Sequence, residues 1–190
     1  MLPRMFMSSA LAAIVCFIVF SAPAAGQDST AADTAGVQQP KQAPYDSIAV
    51  IRMNEGGIIK FEFMEEKAPL AVKRIKKLIR SGFYDGLEFH RVESYLVQTG
   101  KRDHQYPPVP GEMFSQYIRH TRGMVGMARL PNDYDSATTQ FYICKKDIPS
   151  INGEYTLFAR VIEGMDVVQE IEEGDRIESC SLSVHKKPAE

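Results

Sequence analysis

Three cysteines in 190 residues are too few for a disulfide scaffold, and Cys16 stands inside an apolar leader. An excess of charge is also missing. The formal net charge of -2 gives no reason to expect a nucleic acid or an anionic membrane as partner. No strongly apolar run reaches the roughly 20 residues of a membrane span, the longest being residues 10–20. His90, His104, His120 and His185 are scattered, with no two at metal-ligand spacing on one element. A Gly-Xaa-Ser-Xaa-Gly elbow and a phosphate-cradling glycine loop ahead of a helix are both absent. Asn132-Asp133-Tyr134-Asp135 lacks the Gly and terminal Glu of a calcium loop. No metal and no cofactor is therefore expected. The 44% hydrophobic and 24% charged residues that remain suit one soluble domain of ordinary composition.

The first residues read as an address. Arg4 precedes the apolar run, and Ala22-Pro23-Ala24 supplies a small-residue cleavage site, so residues 1–26 are expected to be a secretory signal peptide. A retained membrane anchor over residues 5–26 is the alternative, since no charge interrupts that stretch. The expected location is periplasmic or secreted. Residues 27–46 are Ala, Gln, Ser, Thr and Pro with almost no large apolar side chain, the composition of a disordered linker. The folded unit then spans residues 47–185, with 186–190 as a tail.

Within that unit, residues 47–53 and 58–63 flank the turn Asn54-Glu55-Gly56-Gly57. Ile59, Phe61 and Phe63 alternate with Lys60 and Glu62, the period of a half-buried strand. Pro69 suits a first helical position and Gly82 a C-terminal cap, with Val72, Ile75, Leu78 and Ile79 on one face between them. Strands are expected at residues 88–92, 95–100, 123–129, 138–144, 155–161 and 176–184, and a second helix over 165–173. Eight short strands with Gly and Asn turns predict a closed antiparallel barrel or a sandwich, because closure removes exposed edges. Cys144 and Cys180 each alternate with apolar neighbours and read as buried free thiols rather than a pair.

The chemistry-bearing residues that remain suit neither acid–base nor nucleophilic catalysis. Phe89-His90-Arg91, Tyr95-Leu96-Val97-Gln98, Gly126-Met127-Ala128-Arg129 and Thr139-Gln140-Phe141-Tyr142 offer arginine, glutamine and aromatics, a set that grips a peptide by packing and hydrogen bonds. These blocks, followed in order by Asn152-Gly153-Glu154-Tyr155-Thr156-Leu157-Phe158 and Glu163-Gly164-Met165-Asp166-Val167-Val168, resemble the successive signatures of the cyclophilin family of peptidyl-prolyl cis-trans isomerases. The likeness runs from about Ile48 to Val184 and is strongest to bacterial members.

The resemblance implies a mainly β fold, a closed eight-stranded antiparallel barrel capped by two α-helices. It also implies an enzyme that rotates Xaa–Pro bonds and assists the folding of exported proteins. The partners implied are proline-containing polypeptides, with no nucleic acid, no membrane unless the leader is retained, and the chain a monomer. By resemblance Arg91 is the catalytic guanidinium, and Gln98 orients it and the substrate carbonyl. Tyr95, Leu96, Tyr142 and Ile151 form the proline pocket with Tyr155 at its rim, and Ala128, Arg129 and Gln140 line the adjacent groove. The chain departs from the family pattern at Tyr95 and Tyr142, where Phe is usual, and at Leu96, where Met is usual. It is one residue short between Arg91 and Gln98, and the glycine-rich loop after residue 100 is cut down. Ser150 stands where eukaryotic members place a cyclosporin-binding Trp, which implies weak cyclosporin binding. The competing class is a non-catalytic module for proline-containing segments.

Overall fold

The computed structural model describes residues 47–101, 103, 105–113 and 118–184. The expected signal peptide, linker and tail lie outside the described residues, as do His104 and His185. β1 (Ile48–Met53) and β2 (Ile58–Phe63) form a hairpin, with Gly56 and Gly57 both at φ +92 in its turn, a conformation that side chains resist. α1 (Pro69–Arg80) buries Ala71, Val72, Ile75, Leu78 and Ile79 and leaves Lys73, Lys77 and Arg80 exposed. It ends in a Schellman motif: Gly82, at φ +68, donates to the Ile79 carbonyl and Phe83 to that of Leu78.

β3 (Phe89–Val92), β4 (Leu96–Thr99), β5 (Met124–Met127), β6 (Phe141–Cys144), β7 (Leu157–Glu163), α2 (Met165–Glu170) and β8 (Ile177–Ser183) follow. The strands pair antiparallel in one sheet, in the order β3-β4-β6-β5-β7-β2-β1-β8. The closed barrel expected from the sequence is a curled half-barrel. Its edge strands β3 and β8 share no full ladder and meet at a short seam, the Glu88–Arg176 bridge with backbone bonds from Gly86, Phe89, Gly174 and Ile177. The seam is short because β3 has only four residues and its bond partners lie mostly in the flanking turns. α2 also stops earlier than expected. Ile171 leaves the helix in extended backbone (φ -58, ψ 129) and is buried in the core.

Aromatic rings fill the inside of the curl. Phe61 meets Phe63, Phe141 and Phe158 edge-on at 5.4, 6.0 and 6.2 Å, and Tyr84 meets Phe141 at 5.3 Å. The Tyr84 hydroxyl donates to the Thr139 carbonyl at 2.8 Å, and burial holds its pKa well above the usual phenol value. With the interior packed, a ligand site has to lie on the outside. Cys144 and Cys180 are free and buried, on different strands, and burial first of all pushes both thiols up to about 12.

One buried carboxylate ties the loop after β4 to α1. The helix has no side-chain cap of its own. Instead Glu112 accepts from Leu70 N–H at 2.9 Å and Ala71 N–H at 2.8 Å, while its own N–H donates to the Thr156 hydroxyl at 2.7 Å. A carboxylate there satisfies two orphan donors and meets the positive end of the helix dipole. Glu112→Ala leaves the buried Ala71 donor unmet, so a loss of about 2–3 kcal/mol is expected in urea unfolding. A change within experimental error would show that water replaces the carboxylate.

Candidate active site

Strand register builds the site. Directly opposed residues on neighbouring strands share a face of the sheet. Arg91 opposes Gln98, Gln98 opposes Tyr142, Tyr142 opposes Gly126, and Gly126 opposes Leu157. This row crosses β3, β4, β6, β5 and β7 on the outer face. The neighbouring row of Val97, Ile143, Val125 and Ala159 points into the core. Two bulges make the outer row possible. Plain alternation from buried Phe89 would turn Arg91 inward, but the register shifts between Phe89 and Arg91 and brings Arg91 opposite Gln98. A second shift in β7 lets Phe158 and Ala159 both join the core while Leu157 faces out.

All ten residues singled out from the sequence line one cavity of about 670 Å³: Arg91, Tyr95, Leu96, Gln98, Ala128, Arg129, Gln140, Tyr142, Ile151 and Tyr155. Pro131, Lys146, Asp147, Ile148, Pro149 and Ser150 complete it. These last belong to the loop after Arg129 and the segment around the 3-10 turn Pro149–Ile151; apart from Ser150, already noted for the Trp it replaces, they carried no distinct sequence signal. The missing residue between Arg91 and Gln98 leaves a tight hairpin, closed by Glu93 N–H to the Leu96 carbonyl at 2.8 Å. Tyr95 still faces the cavity from its tip.

The Arg91 side chain is 47% exposed, and its three hydrogen bonds are long. Nε reaches Glu93 at 3.5 Å, Nη1 reaches the Gln98 side-chain oxygen Oε1 at 3.5 Å, and Nη2 donates to the Tyr95 hydroxyl at 3.3 Å. Gln98 in turn donates to the Gln140 carbonyl oxygen at 3.2 Å and lies 3.5 Å from a ring nitrogen of His90. Arg129 is the opposite case, with only 7% of its side chain exposed. It lies against the faces of Tyr134 and Tyr155, 4.2 and 4.5 Å from the ring centroids. Its donors go to the Glu154 and Leu130 carbonyls at 3.0 and 2.8 Å and to the Glu154 carboxylate at 3.4 Å. That carboxylate also accepts from the Tyr134 hydroxyl, a bond that raises the phenol's pKa. Arg129 is thus a fixed wall.

The cavity floor is buried. Leu96 and Tyr142 in it and Ile148 in the adjoining wall are at most 9% exposed and pack in one cluster with Leu157, Cys144 and Met124. The Tyr142 ring lies over Gly126, where a Cβ would come within 2.4 Å of it. Burial first of all raises the Tyr142 hydroxyl well above the usual phenol range. Its partner is a ring nitrogen of His120 at 2.8 Å. Sequence reading passed over His120 as one scattered histidine, because the contact spans 22 positions and no local spacing encodes it.

The chain as a whole is similar to known proteins. Residues 48–188 match the family model for cyclophilin type peptidyl-prolyl cis-trans isomerases. A probable peptidyl-prolyl cis-trans isomerase of Brucella abortus is 33% identical over 164 residues, covering 77% of this chain and 82% of the relative. A peptidyl-prolyl cis-trans isomerase of Helicobacter pylori is 34% identical over 146 residues, covering 71% and 86%. Among solved structures, a cyclophilin type isomerase of Cryptosporidium parvum, in the presence of the dipeptide Ala-Pro, superposes with a TM-score of 0.60. It is 22% identical, and the match covers 74% of this chain and 99% of that one.

The close approach of Tyr142 to Gly126 has a direct consequence. Gly126→Ala must push the ring off its seat, so a loss of about 1–3 kcal/mol is expected, together with weaker peptide binding at the cavity. Calorimetry and a peptide titration check both. Unchanged values would mean that the floor repacks freely.

Proposed function

The chain belongs to the cyclophilin-type peptidyl-prolyl cis-trans isomerases, and from that premise we propose that the cavity on the outer face of β3, β4, β5 and β6 is its isomerase site, with Arg91 as catalytic residue. The Xaa–Pro amide is partly double-bonded and turns over a barrier of about 18–20 kcal/mol, taking tens to hundreds of seconds unaided. No covalent bond is broken, so the enzyme's task is to favour the twisted amide. On twisting, the proline nitrogen leaves conjugation and regains a lone pair that can accept a hydrogen bond. A guanidinium N–H placed there binds the transition state more strongly than either ground state. A hundred-thousandfold acceleration needs about 7 kcal/mol from such differential interactions.

The observation that carries this reading is the outer row itself. A half-exposed guanidinium with long, unsaturated hydrogen bonds stands at one end, a buried apolar floor at the other, and Gln98 joins them. Tyr95, Leu96, Tyr142 and Ile151 take the proline ring, and Tyr155 forms the rim. Gln98 accepts from Arg91 and holds it toward the proline nitrogen, with its amide near the carbonyl that rotates. Gln140 fixes Gln98, and Ala128 and Arg129 bound the groove for the residues before proline.

The chain is further proposed to act on proline-containing segments of exported proteins, after removal of residues 1–26, with residues 27–46 as a tether to a domain over 47–185. The leader composition supports this, and no helix of the described residues is long and apolar enough to cross a membrane. N-terminal sequencing of the protein recovered from its cell is expected to start near residue 27. A start at Met1 would overturn export by cleavage.

Arg91→Ala is expected to lower kcat/KM by about 10²–10³-fold, the cost of removing one preorganised donor from a developing charge or lone pair. NMR exchange on an Ala-Pro peptide, wild type beside variant, measures it. Peptide binding without exchange in either protein would make the cavity a recognition module and overturn the catalytic assignment.

A further inference from the structure

His120 is 1% exposed and sits beneath the cavity floor. One ring nitrogen, Nε2, is 2.8 Å from the Tyr142 hydroxyl; the other, Nδ1, is buried with no hydrogen-bond partner. The ring lies parallel to that of Tyr142, at 6.1 Å and 13°, and edge-on to Tyr155, at 6.2 Å and 81°. Its backbone is bound to the cavity wall: the N–H donates to the Asn152 side chain at 2.7 Å, and the carbonyl accepts from Ile148 N–H at 2.7 Å. One residue therefore holds both the floor, through Tyr142, and the wall that carries Ile148 and Ile151.

A neutral imidazole meets this arrangement with one bond and one idle nitrogen. An imidazolium does not, because both nitrogens then carry protons and Nδ1–H finds no acceptor. Of the groups around the ring, the Asn152 side chain favours the cation, and only in part. Tyr142 and Cys144 on β6, both raised by burial, stay uncharged at neutral pH. Of the nearby carboxylates, Asp147 accepts from Arg122 N–H, and Glu154 is held by Arg129 and Tyr134. Burial accordingly lowers the His120 pKa from 6.5, with the Asn152 side chain opposing in part.

We propose that His120 is a positioning residue of the isomerase site: in its neutral form it seats the Tyr142 ring and so sets the depth of the proline pocket, and protonation unseats it. This rests on the assignment of the cavity as the substrate site. Acid then weakens proline binding more than it slows rotation, because Arg91 is carried on a separate strand and keeps its partners.

The test is the pH profile of KM and kcat for an Ala-Pro peptide, from about pH 5 to 8, by NMR exchange on the full chain. In wild type KM is expected to rise at least about threefold toward acid, with kcat changing less than about twofold. His120→Gln, whose amide can bond Tyr142 but cannot titrate, is expected to flatten the KM profile. His90→Gln is expected to keep the rise, which separates His120 from the histidine beside Gln98. The His120 ring proton in wild type supplies a readout that needs no variant: its titration midpoint is expected below 6.5 and to coincide with the KM midpoint. A flat wild-type KM, a rise that survives in His120→Gln or vanishes in His90→Gln, or a mismatch of midpoints overturns the proposal. Peptide affinity measured in the same samples separates the two readings. Binding that weakens with acid but without exchange at any pH fells the isomerase assignment and leaves His120 in place, whereas exchange with a pH-independent KM fells His120 alone.

Discussion

Two-sided burial of the central strands is the constraint from which the rest of the site follows. Every residue of β5 and β6 is buried, as are three of the four in β4. Side chains alternate across a sheet, so such strands must be covered on both faces. The inner face is covered by the aromatic core. The outer face has no second sheet, and the chain covers it with irregular segments, residues 118–121 and 145–155. A loop cover leaves gaps that a packed sheet or helix would close. The cavity is that gap, floored by Leu96 and Tyr142, which pack with Leu157, and walled by Ile148 and Ile151.

Placing a charge beside such a floor is a matter of register. The bulge before Arg91 is the step that does it. Without the bulge at His90, plain alternation would put the guanidinium on the same side as Phe89 and Val97, facing an aromatic interior where an unpaired cation is not tolerated. With it, Arg91 lands opposite Gln98 at the edge strand and stays in contact with water. The second bulge, at Phe158, serves packing in the same way, bringing two consecutive residues to the core and releasing Leu157 to the outer face, where it packs against Leu96 and Tyr142. Both bulges cost ladder hydrogen bonds in strands that carry the site, which is where irregular pairing is expected to persist.

These particulars explain what the sequence made legible. The alternation of Ile59, Phe61 and Phe63 and the face of Val72, Ile75 and Leu78 are local patterns, and they recur in β2 and α1. Ten of the residues lining the cavity were legible through the order of their motif blocks. Alternation alone would have sent Arg91 inward. Other features were hidden because they depend on distant partners. Glu112 caps a helix some 40 positions away, and His120 meets Tyr142 across 22. The early end of α2 reflects the pull of the core on Ile171, which helix periodicity cannot register. The half-barrel seam is likewise a matter of how far the sheet curls, and strand count does not fix that.

The two ends of the outer row differ in rigidity, and the difference suits the chemistry proposed for them. The floor is buried, seated over Gly126 and tied to His120, and a proline ring held there as proposed would be held alike in cis, trans and twisted forms. Uniform binding of that kind lowers KM and leaves the rotation barrier untouched. The acceleration has to come from a donor that is not already saturated in the ground state. Arg129, wedged between two tyrosines with its donors spent on carbonyls and a carboxylate, has little left to give. Arg91 makes only long bonds, so a lone pair that appears on twisting competes with weak partners. Of the two arginines in the cavity, the loosely held one is therefore the one able to distinguish the twisted amide from the planar.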